Sequence, residues 1–382
     1  MTTLRRFPVF ALALIVVWFA AHPAAAAFKT LAKQAILIDA DSGQALFQKN
    51  AEEAMAPSSM VKMMTVYLTF SDLASGKLKL DDTFKVSKKA WRMRGSKMFV
   101  KVDTEVKVED LIRGIIIQSG NDAAVVMAEG LAGTESAFVE RMNAMARTLG
   151  LSNSQFTTAT GWPDSAQYST AADLARLARR TIKDFPKYYR YYGETSFTYG
   201  GIKQGNRNPL LYDSRSGADG LKTGHTSAGG YGLTASAKRG KRRLILVING
   251  LPSARARATE SRRLLDWGFR SFANYALFKA DTVVESAEIW LGESPSVPLV
   301  VKRDVVVSLP RKSRSAMKVA VVYKGPVPAP IKKGSQIAKL VVTAPDAVPI
   351  EIPLFAARDV AKAGFFGRAA AAIRGLARGA LN

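Results

Sequence analysis

Cysteine is absent from the 382 residues. That excludes disulfides, cysteine-ligated metal centres and thiol catalysis. Histidine is nearly absent. Of the two, His22 lies in an N-terminal apolar segment, so His225 is the single imidazole in the body of the chain. A His-rich metal site is ruled out. A Ser-His-Asp triad would depend on His225 alone. Acids are scarce beside bases, 31 against 55, for a formal charge of +24. After the N-terminus no long apolar run occurs, which excludes a multi-pass membrane protein. No internal repeat is found. A 48% hydrophobic composition supports a folded core, and the length suggests two domains.

Residues 1–27 read as a signal peptide. Arg5 and Arg6 precede an apolar stretch, Phe7 to Ala21, and Ala25-Ala26-Ala27 offers a small-residue cleavage site. The competing reading is an uncleaved N-terminal anchor. Cleavage before Phe28 would remove Arg5 and Arg6 and lower the charge from +24 to +22. Such a charge favours anionic partners, namely lipid headgroups or acidic polymers. An exported address leaves no nucleic-acid partner to expect.

Residues 35–50 predict a hairpin around Asp41-Ser42-Gly43. Pro57 opens a helix with Met60, Met63, Met64, Tyr67 and Leu68 on one buried stripe. Helical patterns follow at Val106–Gln118, Asp122–Leu131, Glu135–Leu149 and Ala171–Ile182, the last capped by Ser169-Thr170. Strand signals return at Tyr231–Ser236 and Leu244–Asn249, and a helix is expected from Thr259 to Tyr275. The order predicts an α+β fold, with helices packed on an antiparallel sheet. After about Lys279 short β-rich runs alternate with Pro/Gly turns, which predicts a small β-sandwich. The expected layout is a catalytic domain over 28–278, a β-rich domain over 279–358 and a tail over 359–382.

Three motifs carry chemistry. Ser59-Met60-Val61-Lys62 is S-x-x-K, Ser119-Gly120-Asn121 is S-G-N, and Lys222-Thr223-Gly224 is K-T-G. S-x-x-K at a helix start puts a hydroxyl and an amine on adjacent turns of one face. Serine needs a nearby base, and an amine serves only when it has lost its proton. Burial and neighbouring cations favour that neutral form, and Lys222 is the expected neighbour. The helix N-terminus offers N–H groups to an oxyanion. S-G-N, lying between two helical patterns, is expected as an exposed turn. It supplies a hydroxyl to pass a proton and an amide that donates and accepts. K-T-G on a strand supplies a cation for a carboxylate, and its glycine lets a backbone come close. A second S-x-x-K, Ser315-Ala316-Met317-Lys318, lies in a strand-like run, where that spacing points the pair to opposite faces. The ordered set of three is specific for serine enzymes that act on β-lactams and D,D-peptides.

On these motifs, and on Asn206-Arg207-Asn208, Asp219-Gly220-Leu221-Lys222-Thr223-Gly224-His225-Thr226 and Trp267-Gly268-Phe269-Arg270, the chain resembles the low-molecular-mass penicillin-binding proteins of the D-alanyl-D-alanine carboxypeptidase type. The similarity runs from about Lys33 to the C-terminus. The resemblance implies a transpeptidase-like catalytic fold and no cofactor or metal. It implies that Ser59 attacks peptidoglycan stem peptides and is acylated by β-lactams. Lys62 would be the base, Ser119 a proton relay, and Asn121 a holder of the peptide amide. Lys222 and Thr223 beside Gly224 would meet the terminal carboxylate, helped by Arg207 and Arg257. Ser59 and His225 would lend backbone N–H groups to the oxyanion hole.

His225 in a triad is disfavoured, because Lys62 already sits one turn from Ser59. In the tail, Phe365, Phe366, Ala369, Ile373 and Leu376 would share one helical face opposite Arg374 and Arg378. That is an amphipathic anchor for an anionic membrane surface, weakened by Gly364, Gly367, Gly375 and Gly379. The same motifs also serve D,D-endopeptidases and β-lactamases, and a non-catalytic wall-binding scaffold is the reading from another class.

Overall fold

The computed structural model describes residues 28–365. The expected signal peptide and the tail from 366 onward lie outside the described residues. Gln34–Asp39 (β1) and Ala45–Lys49 (β2) form the expected hairpin. Pro57 leads through a 3₁₀ turn, Ser58–Val61, into Lys62–Ala74 (α1). A small hairpin, Thr83–Lys85 (β3) with Glu105–Lys107 (β4), flanks Lys88–Arg92 (α2). The helical block is Val108–Ile116 (α3), Asn121–Ala132 (α4), Glu135–Leu149 (α5), Ala171–Asp184 (α6) and the short Pro186–Tyr189 (α7). The Thr134 and Thr170 hydroxyls cap α5 and α6 by accepting the N–H groups of Ala137 and Asp173. A hairpin of Ser196–Tyr199 (β5) and Ile202–Gly205 (β6) precedes Ala218–Thr226 (β7), Gly230–Arg239 (β8), Arg242–Leu251 (β9) and Ala254–Ser271 (α8).

The main sheet is antiparallel, ordered β2-β1-β9-β8-β7. The unbroken apolar run in β9 follows from burial on both faces. Ile245 and Val247 join Ile36 and Ile38 beneath the helical block. Leu244, Leu246 and Ile248 join Leu37 beneath Leu264 and Leu265 of α8. At the edge of this sheet, β7 runs beside the N-terminal turn of α1.

The second domain is all β. Phe272–Phe278 (β10) pairs with Val305–Pro310 (β13). Val283–Trp290 (β11), Ser296–Val300 (β12), Lys318–Val322 (β14), Val327–Pro328 (β15), Gln336–Thr343 (β16) and Ile350–Ala356 (β17) make a six-stranded sheet. The sheets share a core containing Val307, Leu309, Leu340 and Leu354.

Two boundaries differ from the sequence reading. The helix expected over Thr259–Tyr275 starts at Ala254, where the Ser253 hydroxyl caps Ala256, and stops at Ser271. Strand pairing with β13 captures the residues from Phe272, so the second domain's sheet begins there and not at 279. At the other end Val360 is buried in the β domain and bridges Ile331. The domain therefore packs past the expected tail start at 359. The second S-x-x-K falls in this domain, with Ser315 in a 3₁₀ turn and Lys318 opening β14. Among the described residues no helix is long and apolar enough to cross a membrane.

Candidate active site

Three elements converge on one cleft. Ser59 and Lys62 come from the start of α1, Ser119 and Asn121 from the turn into α4, and Lys222 and Thr223 from β7. Spacing alone delivers the first pair: Lys62 Nζ lies 3.0 Å from Ser59 Oγ. The same nitrogen lies 2.7 Å from Asn121 Oδ1 and 2.6 Å from the Thr160 carbonyl oxygen. Both carbonyl oxygens can only accept, so two N–H groups of Lys62 are committed to them. In a neutral amine the remaining lone pair is left to receive the Ser59 proton.

Burial supplies the neutral amine. Lys62 is 0% exposed, and its pKa is lowered from the usual 10.5 to about 7. Desolvation is the main cause; the positive charge of Arg207 adds to it and Asp122 opposes it. The neighbouring cations are Arg207 and, as the sequence reading expected, Lys222, whose charge and that of Lys62 repel each other. Lys222 is itself pushed well below its usual value by burial, then by Lys62, Arg207 and Arg257. Its amine donates to Ser119 Oγ at 3.0 Å and to its own neighbour's carbonyl, Thr223 O, at 3.1 Å. Among the described residues, no ion pair reaches Lys62, Lys222, Arg207 or Arg257. The cleft is a cationic pocket in which Asp122 acts on Lys62 from a distance, without forming an ion pair with it.

The S-G-N turn is not exposed, contrary to expectation. Ser119 and Asn121 are both buried, with Ser119 at φ 57°. A segment the motifs did not single out, residues 94–100, covers them. The Asn121 side chain donates from Nδ2 to Arg94 O at 2.7 Å, and its main-chain N–H donates to Ser96 O at 2.7 Å. The Asp122 carboxylate accepts the N–H groups of Met98, Phe99 and Val100 at 2.8, 2.8 and 3.2 Å, which pins the segment. Both ends of the Asn121 amide are therefore engaged within the protein. Its first task is to orient Lys62, and one N–H remains for a ligand.

Close backbone packing joins the walls. A Cβ on Gly224 would fall 2.9 Å from Pro57 O, so only glycine lets β7 lie against the turn before Ser59. A Cβ on Gly161 would fall 2.0 Å from Ser58 O. That close approach brings the Thr160 carbonyl to Lys62. The Ser58 and Thr226 hydroxyls bond at 3.0 Å.

Arg207 hydrogen-bonds Ser96 Oγ, and Arg257 donates to Arg207 O at 3.4 Å. Both are close enough for their charges to act on Lys222. The exposed His225 stacks on Tyr231 with ring centroids 3.9 Å apart. Among the described residues no carboxylate is its partner, so a triad has no third member.

Two family models match the chain. One, described as D-alanyl-D-alanine carboxypeptidase, matches residues 20–252. The other, described as penicillin-binding protein 5, C-terminal domain, matches residues 272–362. The D-alanyl-D-alanine carboxypeptidase DacC of Escherichia coli (strain K12) is 38% identical over 357 residues, 92% of this chain and 89% of its own length. The crystal structure of penicillin binding protein 5 from Haemophilus influenzae shares 37% identity at a TM-score of 0.82, covering 87% of this chain and 98% of that one. Penicillin-binding protein D2 from Listeria monocytogenes, solved in an ampicillin-bound form, is 28% identical at a TM-score of 0.58, over 63% of this chain and 98% of that one.

Proposed function

Because the chain belongs to the D-alanyl-D-alanine carboxypeptidase family of serine peptidases, we propose that it removes the terminal D-alanine from peptidoglycan stem pentapeptides, with Ser59 as nucleophile. The observation that carries this is the Lys62 amine, held by two carbonyl oxygens and facing Ser59 Oγ at 3.0 Å.

The Ser59 oxygen attacks the carbonyl between the two D-alanines while its proton passes to Lys62. N–H groups of Ser59 and His225 take the developing oxyanion. The C–N bond breaks as a proton reaches the leaving amine. Ser119, hydrogen-bonded to Lys222, is the relay. Free D-alanine departs, and water then hydrolyses the ester on Ser59 and restores the hydroxyl. Lys222, Thr223, Arg207 and Arg257 hold the terminal carboxylate. Its negative charge offsets the burial and the neighbouring cations that disfavour a charged Lys222.

A β-lactam offers a carbonyl and a carboxylate in the same relation, and Ser59 would open its ring to a stable acyl-enzyme. The ampicillin-bound Listeria protein supports this by likeness. The same reading places the protein in cell-wall biogenesis and in cell-shape maintenance. It would be exported by residues 1–27 and held on the periplasmic face of the inner membrane by its basic tail.

The test is release of free D-alanine from a stem pentapeptide, beside the same peptide amidated at its C-terminus. The acid should be cleaved and the amide should lose at least tenfold in kcat/KM. Equal rates would contradict the cationic pocket's role, and cleavage of cross-links alone would make the protein an endopeptidase.

A further inference from the structure

We infer that Asn208 is a positioning residue: its buried amide ties the Arg207 turn to β7 and so sets the span between Arg207 and Lys222 that a substrate carboxylate bridges. This deepens the carboxypeptidase reading and rests on it.

In Asn206-Arg207-Asn208 only the arginine carries a charge for substrate. The two asparagines are buried, at 5% and 0% exposure, and Arg207 between them is exposed. A buried amide needs partners, and both have them. Asn206 fastens the turn to the chain before β5. Its Nδ2 donates to Glu194 O at 3.0 Å, and its main-chain N–H donates to Thr195 O at 2.7 Å. Its Oδ1 accepts the Asn208 N–H at 3.0 Å, which joins the two asparagines around Arg207.

Asn208 then reaches the other wall. Its Nδ2 donates to Gly220 O in β7 at 2.8 Å, and its Oδ1 accepts the Leu210 N–H at 3.1 Å. A carbonyl only accepts and an N–H only donates, so the amide has one orientation. Pro209 keeps Asn208 in extended backbone, at φ −75° and ψ 108°. One hydrogen bond thus couples the neighbour of Arg207 to a strand residue just ahead of Lys222.

The strand is the fixed partner. The Asp219 carboxylate forks onto Arg243 of β9 with both contacts at 2.7 Å, and it accepts the Tyr189 hydroxyl at 3.0 Å. A Cβ on Gly220 would fall 2.6 Å from that hydroxyl oxygen, so β7 lies tight against α7 here. Loss of the Asn208 amide therefore frees the Arg207 turn and leaves Lys222 in place.

The experiment measures cleavage of a stem pentapeptide and of its C-terminal amide by Asn208→Ala and by Asn208→Ser, which keeps an acceptor for the Leu210 N–H. In either variant the ratio of kcat/KM for acid over amide should fall about fivefold or more, the scale of one buried hydrogen bond. In an Arg207→Ala background the same substitutions should move that ratio by less than about twofold, because the residue they act through is gone. Equal losses on the two peptides, or an undiminished effect without Arg207, would overturn the positioning role. No cleavage of either peptide by the parent protein would instead overturn the carboxypeptidase reading itself, and this role with it.

Discussion

At the scale of single residues, the chemistry turns on the protonation of Lys62. Its pKa near 7 sits below that of a solvated lysine because the charged form is desolvated. Below that pH the amine is an ammonium with no lone pair for the Ser59 proton. The limb in kcat/KM therefore rises with pH through about 7 and levels above it, and kcat/KM reports the free enzyme. A Lys62→Arg variant keeps the charge but cannot lose a proton. It should lower acylation by about 10²- to 10⁴-fold. A flat profile, or an active Lys62→Arg variant, would remove Lys62 from the base role. That Ser59, Lys62, Ser119 and Lys222 share one cleft was legible because each belongs to a short motif. The Thr160 carbonyl and the Arg94 and Ser96 carbonyls were not, because main-chain groups leave no residue signature. Arg207's electrostatic effect on Lys62 was hidden for another reason: it acts across the fold, from a residue 145 positions away in number.

At the scale of elements, the site depends on backbone surfaces that touch. Gly161, at φ +75°, tolerates neither a Cβ's strain nor its bulk against Ser58 O. Gly161→Ala should push the turn carrying Ser59 away from the Thr160 carbonyl. We expect a lower melting temperature and at least a tenfold loss in the rate of acylation by a β-lactam, and wild-type values for both would refute the contact's importance. Helices with side-chain caps were readable almost to the residue, as Glu135–Leu149 shows. The end of α8 was not, because Phe272 leaves the helix for a strand partner over thirty positions away, β13. Local pattern carries no information on such pairing. The small hairpins β3–β4 and β5–β6 escaped notice for their shortness.

At the scale of the whole molecule, a buried polar network ties the two domains. Asp39, 0% exposed, pairs with Arg242 at 3.0 Å and accepts from Asn274 Nδ2 at 3.0 Å. Asn274 in turn accepts from Ser308 Oγ at 2.8 Å, and Gln44 Oε1 receives the Ser308 N–H at 2.6 Å. The β domain is thereby keyed to the hairpin β1–β2. Arg242→Ala would leave Asp39 charged and buried without its cation, a cost of about 3 kcal/mol. The urea midpoint should fall clearly, while the pH limb of the remaining folded enzyme stays near 7; an unchanged midpoint would show that the network is not holding the domains. The two-domain plan was visible in the change of composition, but this latch was not, since its members are ordinary polar residues scattered over the chain. The claim on which all three scales converge is that Ser59 is the acylated residue. Mass spectrometry after exposure to penicillin, with the adduct located by peptide mapping, tests it directly. The account predicts one penicilloyl group on the peptide containing Ser59, absent in Ser59→Ala; an adduct on any other residue, or labelling that survives Ser59→Ala, would contradict it.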